Sequence, residues 1–341
     1  MDFQKFKSKF QLEEVEEYPN QVSLKPMLSV LVLTHNQKDY IRECLDSILK
    51  QKIDFDLEII IGEDDSKDGT REICMEYADK HPDKIRLLLH SKKNKVTFKK
   101  SPPHSFNSFY GLFSARGKYI AICEGDDYWT DSEKLQKQLN YLESNPDCSL
   151  SYHPTLCFDE LDPSVRFFKQ PKQPDQSRKF DVEEYIKGKG LGVWTVSMVG
   201  KAEYFKEIPE WLLQAPITDL AIKLYYANHG KIGYLTDCMA VYRRRSKGSW
   251  SEFSHSYDWQ IDHMKDRTKT YNLFNEISDR KFEKEIQASN EWWKIYCLGK
   301  AFNHANRKQR RKLIFDYPSF FLNLKKRENI IRFAKFVIGD R

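Results

Sequence analysis

The 341-residue chain has no run approaching the roughly 18 apolar residues of a membrane-spanning helix, which excludes a helical span from its sequence. Its first ten residues, Met-Asp-Phe-Gln-Lys-Phe-Lys-Ser-Lys-Phe, lack the apolar stretch of a secretory signal, so the expected location is cytoplasmic. No Cys-x-x-Cys pair occurs among Cys44, Cys74, Cys123, Cys148, Cys157, Cys238 and Cys297. Scattered and odd in number, these cysteines read as reduced thiols and not as a disulfide framework or a zinc ribbon. Neither sign of charge dominates: 56 basic residues against 50 acidic ones leave +6, which permits phosphate-bearing partners without requiring them. With 40% hydrophobic and 31% charged residues the chain is neither disordered nor collagen-like, and no internal repeat is evident.

What is present is an alternation of strand and helix. Leu28 to Leu33 is a β-branched and Leu-rich strand, and Ile41, Cys44, Leu45, Ile48 and Leu49 then share one helical face. Glu58 to Ile61 reads as a second strand, Ile73, Cys74, Tyr77 and Ala78 as the inner face of a second helix, and Ile85 to Leu89 as a third strand. After a basic, Pro-interrupted loop from Lys92 to Pro103 come a short helix around Phe106 to Phe113 and a fourth strand ending near residue 123. Such alternation predicts right-handed βαβ crossovers and a mostly parallel sheet that receives ligands at the carboxyl ends of its strands. Helices are expected over Glu133 to Glu143 and Asp219 to Asn228, a mobile loop over Asp159 to Lys179, and a largely helical, basic region beyond residue 255.

The fourth strand runs into Glu124-Gly125-Asp126-Asp127-Tyr128-Trp129. Carboxylates this close repel one another, so a fold that gathers them at a strand end usually holds a cation there. Oxygen-only ligation with few protein ligands suits Mg²⁺ or Mn²⁺ shared with substrate phosphates.

Several segments in order resemble the large GT-A family of inverting nucleotide-sugar glycosyltransferases, family 2, which includes cellulose, chitin and hyaluronan synthases. Ser29-Val30-Leu31-Val32-Leu33-Thr34-His35-Asn36 resembles its first strand and nucleotide loop, and Glu63-Asp64-Asp65-Ser66-Lys67-Asp68-Gly69-Thr70 its acidic turn, with Glu63 where Asp is more usual and Asp65 where Gly is. Glu124 to Trp129 matches the metal motif and Lys134-Leu135-Gln136-Lys137-Gln138 its continuation. The resemblance covers roughly residues 27 to 251 and is closest to soluble bacterial members that build surface polysaccharides. It implies a GT-A α/β domain over 27–255, after an N-terminal extension at 1–26 and before a helical appendage at 256–341.

The resemblance also implies a chemistry: transfer of a sugar, with inversion, from a nucleotide-diphosphate donor, expected to be UDP-linked, to a saccharide or lipid-linked saccharide hydroxyl. Asp64 would read the base, since a carboxylate accepts a hydrogen bond from the uracil imide, with Thr34 and Asn36 in the same loop. Asp126 would meet the ribose and, with Asp127, a Mn²⁺ or Mg²⁺ ion on the diphosphate. Asp219, at a helix start in Ile217-Thr218-Asp219-Leu220, falls at the family's catalytic base. Relatives often carry His two residues after Arg243. Here that position is Arg245, which cannot ligate a metal but can, with Arg243, bind a pyrophosphate bidentately. Trp194 and Thr195 are placed on the acceptor side, and Gly248-Ser249-Trp250-Ser251 matches a segment that closes over the donor in relatives.

Each motif has a plainer reading. Asp64, Asp68 and Asp219 all suit helix N-caps, adjacent arginines often form only a solvated edge, and a tryptophan is more often packing than a sugar platform. Two other functions compete. A sugar nucleotidyltransferase normally shows a Gly-rich, Lys-containing loop after the first strand, and Thr34-His35-Asn36-Gln37-Lys38 has no glycine. A nucleic-acid-binding protein would use Lys92 to Lys100 and the basic tail with steep salt dependence; no nucleic-acid partner is expected. The stretch Ile330 to Ile338 is basic and amphipathic, which leaves open a peripheral contact with the inner face of a membrane, or packing against its own domain.

Overall fold

A computed structural model of the chain describes residues 1–97, 106–161, 168–169, 175–188, 192–247, 249, 251–252, 254 and 256–320. Two compact units cluster separately, Met1–Ser249 and the residues from 250 onward. In chain order the first unit contains α1 (Phe3–Phe10), β1 (Glu16–Glu17), β2 (Leu28–Thr34), α2 (Ile41–Leu49), β3 (Leu57–Glu63), α3 (Thr70–Lys80), β4 (Ile85–Leu89), α4 (Phe106–Ser114), β5 (Tyr119–Ile122), β6 (Tyr128–Trp129) and α5 (Lys134–Ser144). It continues with β7 (Cys148–Tyr152), β8 (Leu156–Asp159), β9 (Phe168–Lys169), β10 (Arg178–Phe180), α6 (Val182–Lys187), β11 (Val199–Lys201), α7 (Glu210–Gln214), α8 (Thr218–His229), β12 (Lys231–Tyr234) and β13 (Ala240–Arg244).

Nine strands form one sheet in the order β1-β4-β3-β2-β5-β11-β7-β12-β10. The block β4-β3-β2-β5 is parallel throughout, as the alternation predicts. Its strands are buried on both faces, which is why β2 and β3 read as near-continuous apolar runs. Beyond β5 the sheet is mixed, because β11 enters antiparallel between β5 and β7. GT-A architecture is present, with the continuous parallel block in the half that carries the first three motifs, while in the other half only β7 and β12 pair parallel. A second sheet, β6-β13-β8-β9, was invisible to periodicity because two of its strands are two residues long.

The N-terminal extension is built into this unit. Asp2 caps α1 through the Lys5 amide at 2.9 Å, and Phe6 packs against Phe106, Phe109 and Phe113 of α4. Under the sheet, Glu58 is fully buried and accepts from Ser29 Oγ (2.5 Å), Arg86 Nη1 (3.0 Å) and the Arg116 amide (2.7 Å). Arg86 also donates to Glu17 and to the Ser114 carbonyl.

The second unit contains α9 (Tyr257–Ile277), α10 (Glu283–His304) and α11 (Arg307–Asp316), with a small core of Met264, Cys297, Leu298, Ala301, Ala305, Leu313 and Phe320. None of the helices among the described residues is long and apolar enough to cross a membrane. Phe98 to Pro103, the middle of the expected 159–179 loop, Gly248, Trp250 and the amphipathic 330–338 stretch lie outside the described residues.

Removing one partner of a buried ion pair leaves the other charged and unpaired, at a cost of about 3–5 kcal/mol. Arg86→Ala is accordingly expected to lower the unfolding free energy by about that amount in urea titrations, because Glu58 has no route to water. A loss below about 1 kcal/mol would show that the Arg86–Glu58 pair carries little of the stability of this unit.

Candidate functional site

The carboxyl ends of β2, β3 and β5 are tied by their continuing ladders: the Asp64 amide donates to the Thr34 carbonyl (3.0 Å), Cys123 to Leu31 (3.0 Å) and Gly125 to Leu33 (2.9 Å). These bonds hold the β2–α2 loop, the acidic turn after β3 and the acidic loop after β5 side by side at one end of the sheet. Gly125 is required there, since a Cβ would sit 2.5 Å from Gln37 Oε1 and 2.8 Å from Thr34 Oγ1. Thr34 in turn donates to Gln37 Oε1 at 2.9 Å.

The β2–α2 loop is locked to the acidic turn. His35 Nδ1 lies 2.8 Å from the Asp64 carbonyl, the Asn36 amide donates to Ser66 Oγ (2.9 Å), and Lys67 donates its amide to Asn36 Oδ1 (2.9 Å). Asn36 Nδ2 lies 3.0 Å from His35 Nε2, so the Asn36 side chain positions two loops. Asn36 (φ 52°) and Asp65 (φ 57°) are left-handed, which accounts for the glycine more usual at the Asp65 position. Burial raises the Asp64 carboxyl above its ordinary range, with His35 opposing the shift.

In the loop after β5, Asp126 and Asp127 are almost fully buried. Ser246 Oγ donates to Asp126 Oδ2, and the Arg243 amide donates to Asp127 Oδ1 at 2.7 Å. Burial drives the Asp127 carboxyl well up, reinforced by Asp126 and Glu124, and raises Asp126 against its bond from Ser246. Burial also pushes Glu124 up to about 7; a hydrogen bond with Thr195 opposes this, and the Asp126 and Asp219 charges add to it. Asp219, at the start of α8, is thus near enough to Glu124 for its charge to be felt there. Asp219 is half-exposed in the first turn of α8 and pairs with the buried Lys223 at 2.6 Å.

The arginines are paired within the protein. Arg243 bonds the Asp126 carbonyl (3.0 Å), pairs with Glu43 and with Glu160 (3.2 Å), and stacks over Tyr128 at 4.7 Å. Arg245, left-handed at φ 62°, pairs with Asp159 through Nε at 2.7 Å and through Nη2. Both guanidiniums are thus engaged with the protein's own carboxylates: Arg243 ties the acidic loop to β13, and Arg245 ties the end of β13 to β8. Trp194 packs its ring on Tyr242, centroids 4.0 Å apart, while its buried Nε1 has no partner among the described residues. Gln37 and Ser246 were given no role from sequence, and Glu124 was read only as one of three clustered carboxylates that would gather a cation.

The donor set can be weighed against a cation. Among the described residues no group of three or more His, Cys, Asp or Glu forms an all-protein cage. Glu124 Oε2 and Asp127 Oδ2 are nevertheless buried without partners. One or two carboxylates with open oxygens fit Mg²⁺ or Mn²⁺ completed by substrate phosphates, and do not fit zinc.

Residues 29–189 match the family model described as Glycosyl transferase family 2. The uncharacterised protein Rv1520 of Mycobacterium tuberculosis is 34% identical over 224 residues, which is 65% of this chain and 60% of that protein. The chain thus spans about 60% of the length of this relative. TuaG of Bacillus subtilis, named for teichuronic acid biosynthesis as a glycosyltransferase, is 27% identical over 221 residues, 64% of this chain and 79% of its own. The crystal structure of S. aureus TarS 1-349 superposes with a TM-score of 0.50 at 16% identity, covering 92% of this chain and 90% of that one, which establishes likeness of fold.

Because its folded-state pKa is raised, Glu124 contributes most to stability below its unfolded value near 4.5, and that contribution is lost as pH rises through about 7. Glu124→Gln should therefore match the native chain near pH 4.5 and exceed it at pH 8 by a few kcal/mol, on the order of its shift. Thermal unfolding across that window checks it; a variant less stable at pH 8 would contradict the burial of an ionisable Glu124.

Proposed function

The chain belongs to glycosyltransferase family 2 through its residues 29–189, and we propose that it moves one sugar, with inversion, from a UDP-linked donor to a saccharide or lipid-linked saccharide hydroxyl. What supports this reading is that the backbone ties the loops after β2, β3 and β5, which carry Asp64, Asp126 and Asp127, to one another, and that the Asp219 charge is felt at Glu124.

In this reading Asp64 accepts from the uracil imide at the back of the crevice, with Thr34 beside it, and Asp126 meets the ribose. Asn36 holds the two loops that form the base pocket. Asp126 and Asp127 would hold a Mn²⁺ or Mg²⁺ ion, which when bound supplies charge neutralisation for the departing diphosphate. Arg243 and Arg245 act as positioning residues, keeping those carboxylates where the donor needs them. Asp219 takes the proton from the acceptor hydroxyl as that oxygen attacks the anomeric carbon opposite the leaving group. Lys223 fixes the direction of its carboxylate. Thr195 and the Trp194 indole nitrogen line the acceptor side. A place in bacterial surface-polysaccharide synthesis is supported by the name of TuaG, a relative over 64% of the chain.

A screen of nucleotide sugars by thermal shift, with and without Mn²⁺, tests the donor, because a ligand bound only by the native state raises its apparent stability. UDP-sugars are expected to stabilise the chain more with Mn²⁺ present. Asp127→Ala should abolish transfer and weaken nucleotide binding, and unchanged turnover would remove that residue from the site. For Asp219→Asn the expectation is retained donor affinity with turnover reduced by about 10² to 10⁴, as for loss of a general base. Full activity in that variant would exclude Asp219 as the base.

A further inference from the structure

Helix α11 carries Arg307, Lys308, Arg310, Arg311 and Lys312 with no acidic residue before Asp316. All five are exposed, and among the described residues Arg307, Lys308, Arg311 and Lys312 form no ion pair. The helix is fixed to its own unit on one side only. Leu313 is 1% exposed and belongs to the small core of the second unit, and Arg310 lies over the Phe302 ring at 5.0 Å. Two residues after Leu313, about 200° round the helix, Phe315 is 84% exposed. Ile314, beside it, is 49% exposed. Arg311 and Lys312 lie four and three residues before Phe315, so they share its face, and Lys308 lies one turn further back.

An outward-facing phenylalanine ringed by unpaired cations has no use in water. Exposing the ring is unfavourable, and the like charges repel along one face. Both costs are removed where an apolar layer lies directly beneath a negatively charged one. We propose that the outer face of α11 docks on an anionic lipid surface, with Phe315 and Ile314 entering the acyl boundary and Lys308, Arg311 and Lys312 set among the headgroup phosphates. Charge complementarity together with the exposed ring selects this partner over nucleic acid, which would match the cations and leave Phe315 and Ile314 in water. The inference does not depend on the transferase reading, since it concerns the second unit and is read out without sugar transfer.

Full-length protein sedimented with vesicles of phosphatidylcholine alone, or of phosphatidylcholine with a fraction of phosphatidylglycerol, tests it. The chain is expected to sediment with the anionic vesicles only and to be released when added salt shortens the screening length from about 8 to about 3 Å. Each basic residue near such a surface strengthens binding about fivefold, so Arg311→Glu with Lys312→Glu should weaken partitioning by at least about 25-fold. Phe315→Ser should weaken it while leaving the steepness of the salt dependence unchanged. Unfolding curves of both variants should match the native one, because the replaced side chains are exposed. Equal binding to neutral vesicles, full binding by the double variant, or binding to a single-stranded polynucleotide without binding to vesicles would each overturn the proposal.

Discussion

Carboxylates that repel one another are held together at the end of β5, and most of the surrounding structure serves to hold them. Glu124, Asp126 and Asp127 lose water and lie in each other's field, so all three resist ionisation. What opposes that cost is local and specific: the Arg243 amide on Asp127, the Ser246 hydroxyl on Asp126 and Thr195 on Glu124. These three donors lie on or just after β13 and in the turn before β11, and Gln37 of the loop after β2 adds a bond to Asp126, so both halves of the unit hold the acidic loop. The second sheet, small as it is, keeps the acidic loop in place.

The same constraint gives the arginines their work. The Arg243 guanidinium pairs Glu43 and Glu160 while bonding the Asp126 carbonyl. Arg245 repeats the pattern on Asp159. Positive charge is thus built into the walls behind the crevice, and its floor retains the carboxylates with open oxygens that a phosphate-shared cation would use.

Much of this was legible in the sequence where the signal is local. The runs Leu28–Thr34, Leu57–Glu63 and Tyr119–Ile122 announce buried parallel strands because both faces are covered, and the acidic turn and the acidic loop directly follow the second and third of them. The crevice residues Asp64 and Asp126 are adjacent to such strand ends, so pattern alone places them. The pairings of Arg243 and Arg245 were not legible because their partners are remote, Glu43 at a separation of 200 residues and Asp159 at 86, and three successive basic residues carry no hint of which carboxylates they will meet. The helix at Phe3–Phe10 was missed because its anchor is a ring cluster on α4 and not its own periodicity. Asp219 was reached only through resemblance; its sequence context is that of any helix start.

The most direct measurement is a crystal structure of the chain with UDP and Mn²⁺. The uracil is expected against Asp64 and Thr34, the diphosphate and ion at Asp126 and Asp127, and the Asp219 carboxylate on the far side of the position where the sugar would sit. A nucleotide bound elsewhere, or an ion that leaves both aspartates uncoordinated, would contradict the assignment of this crevice as the donor site.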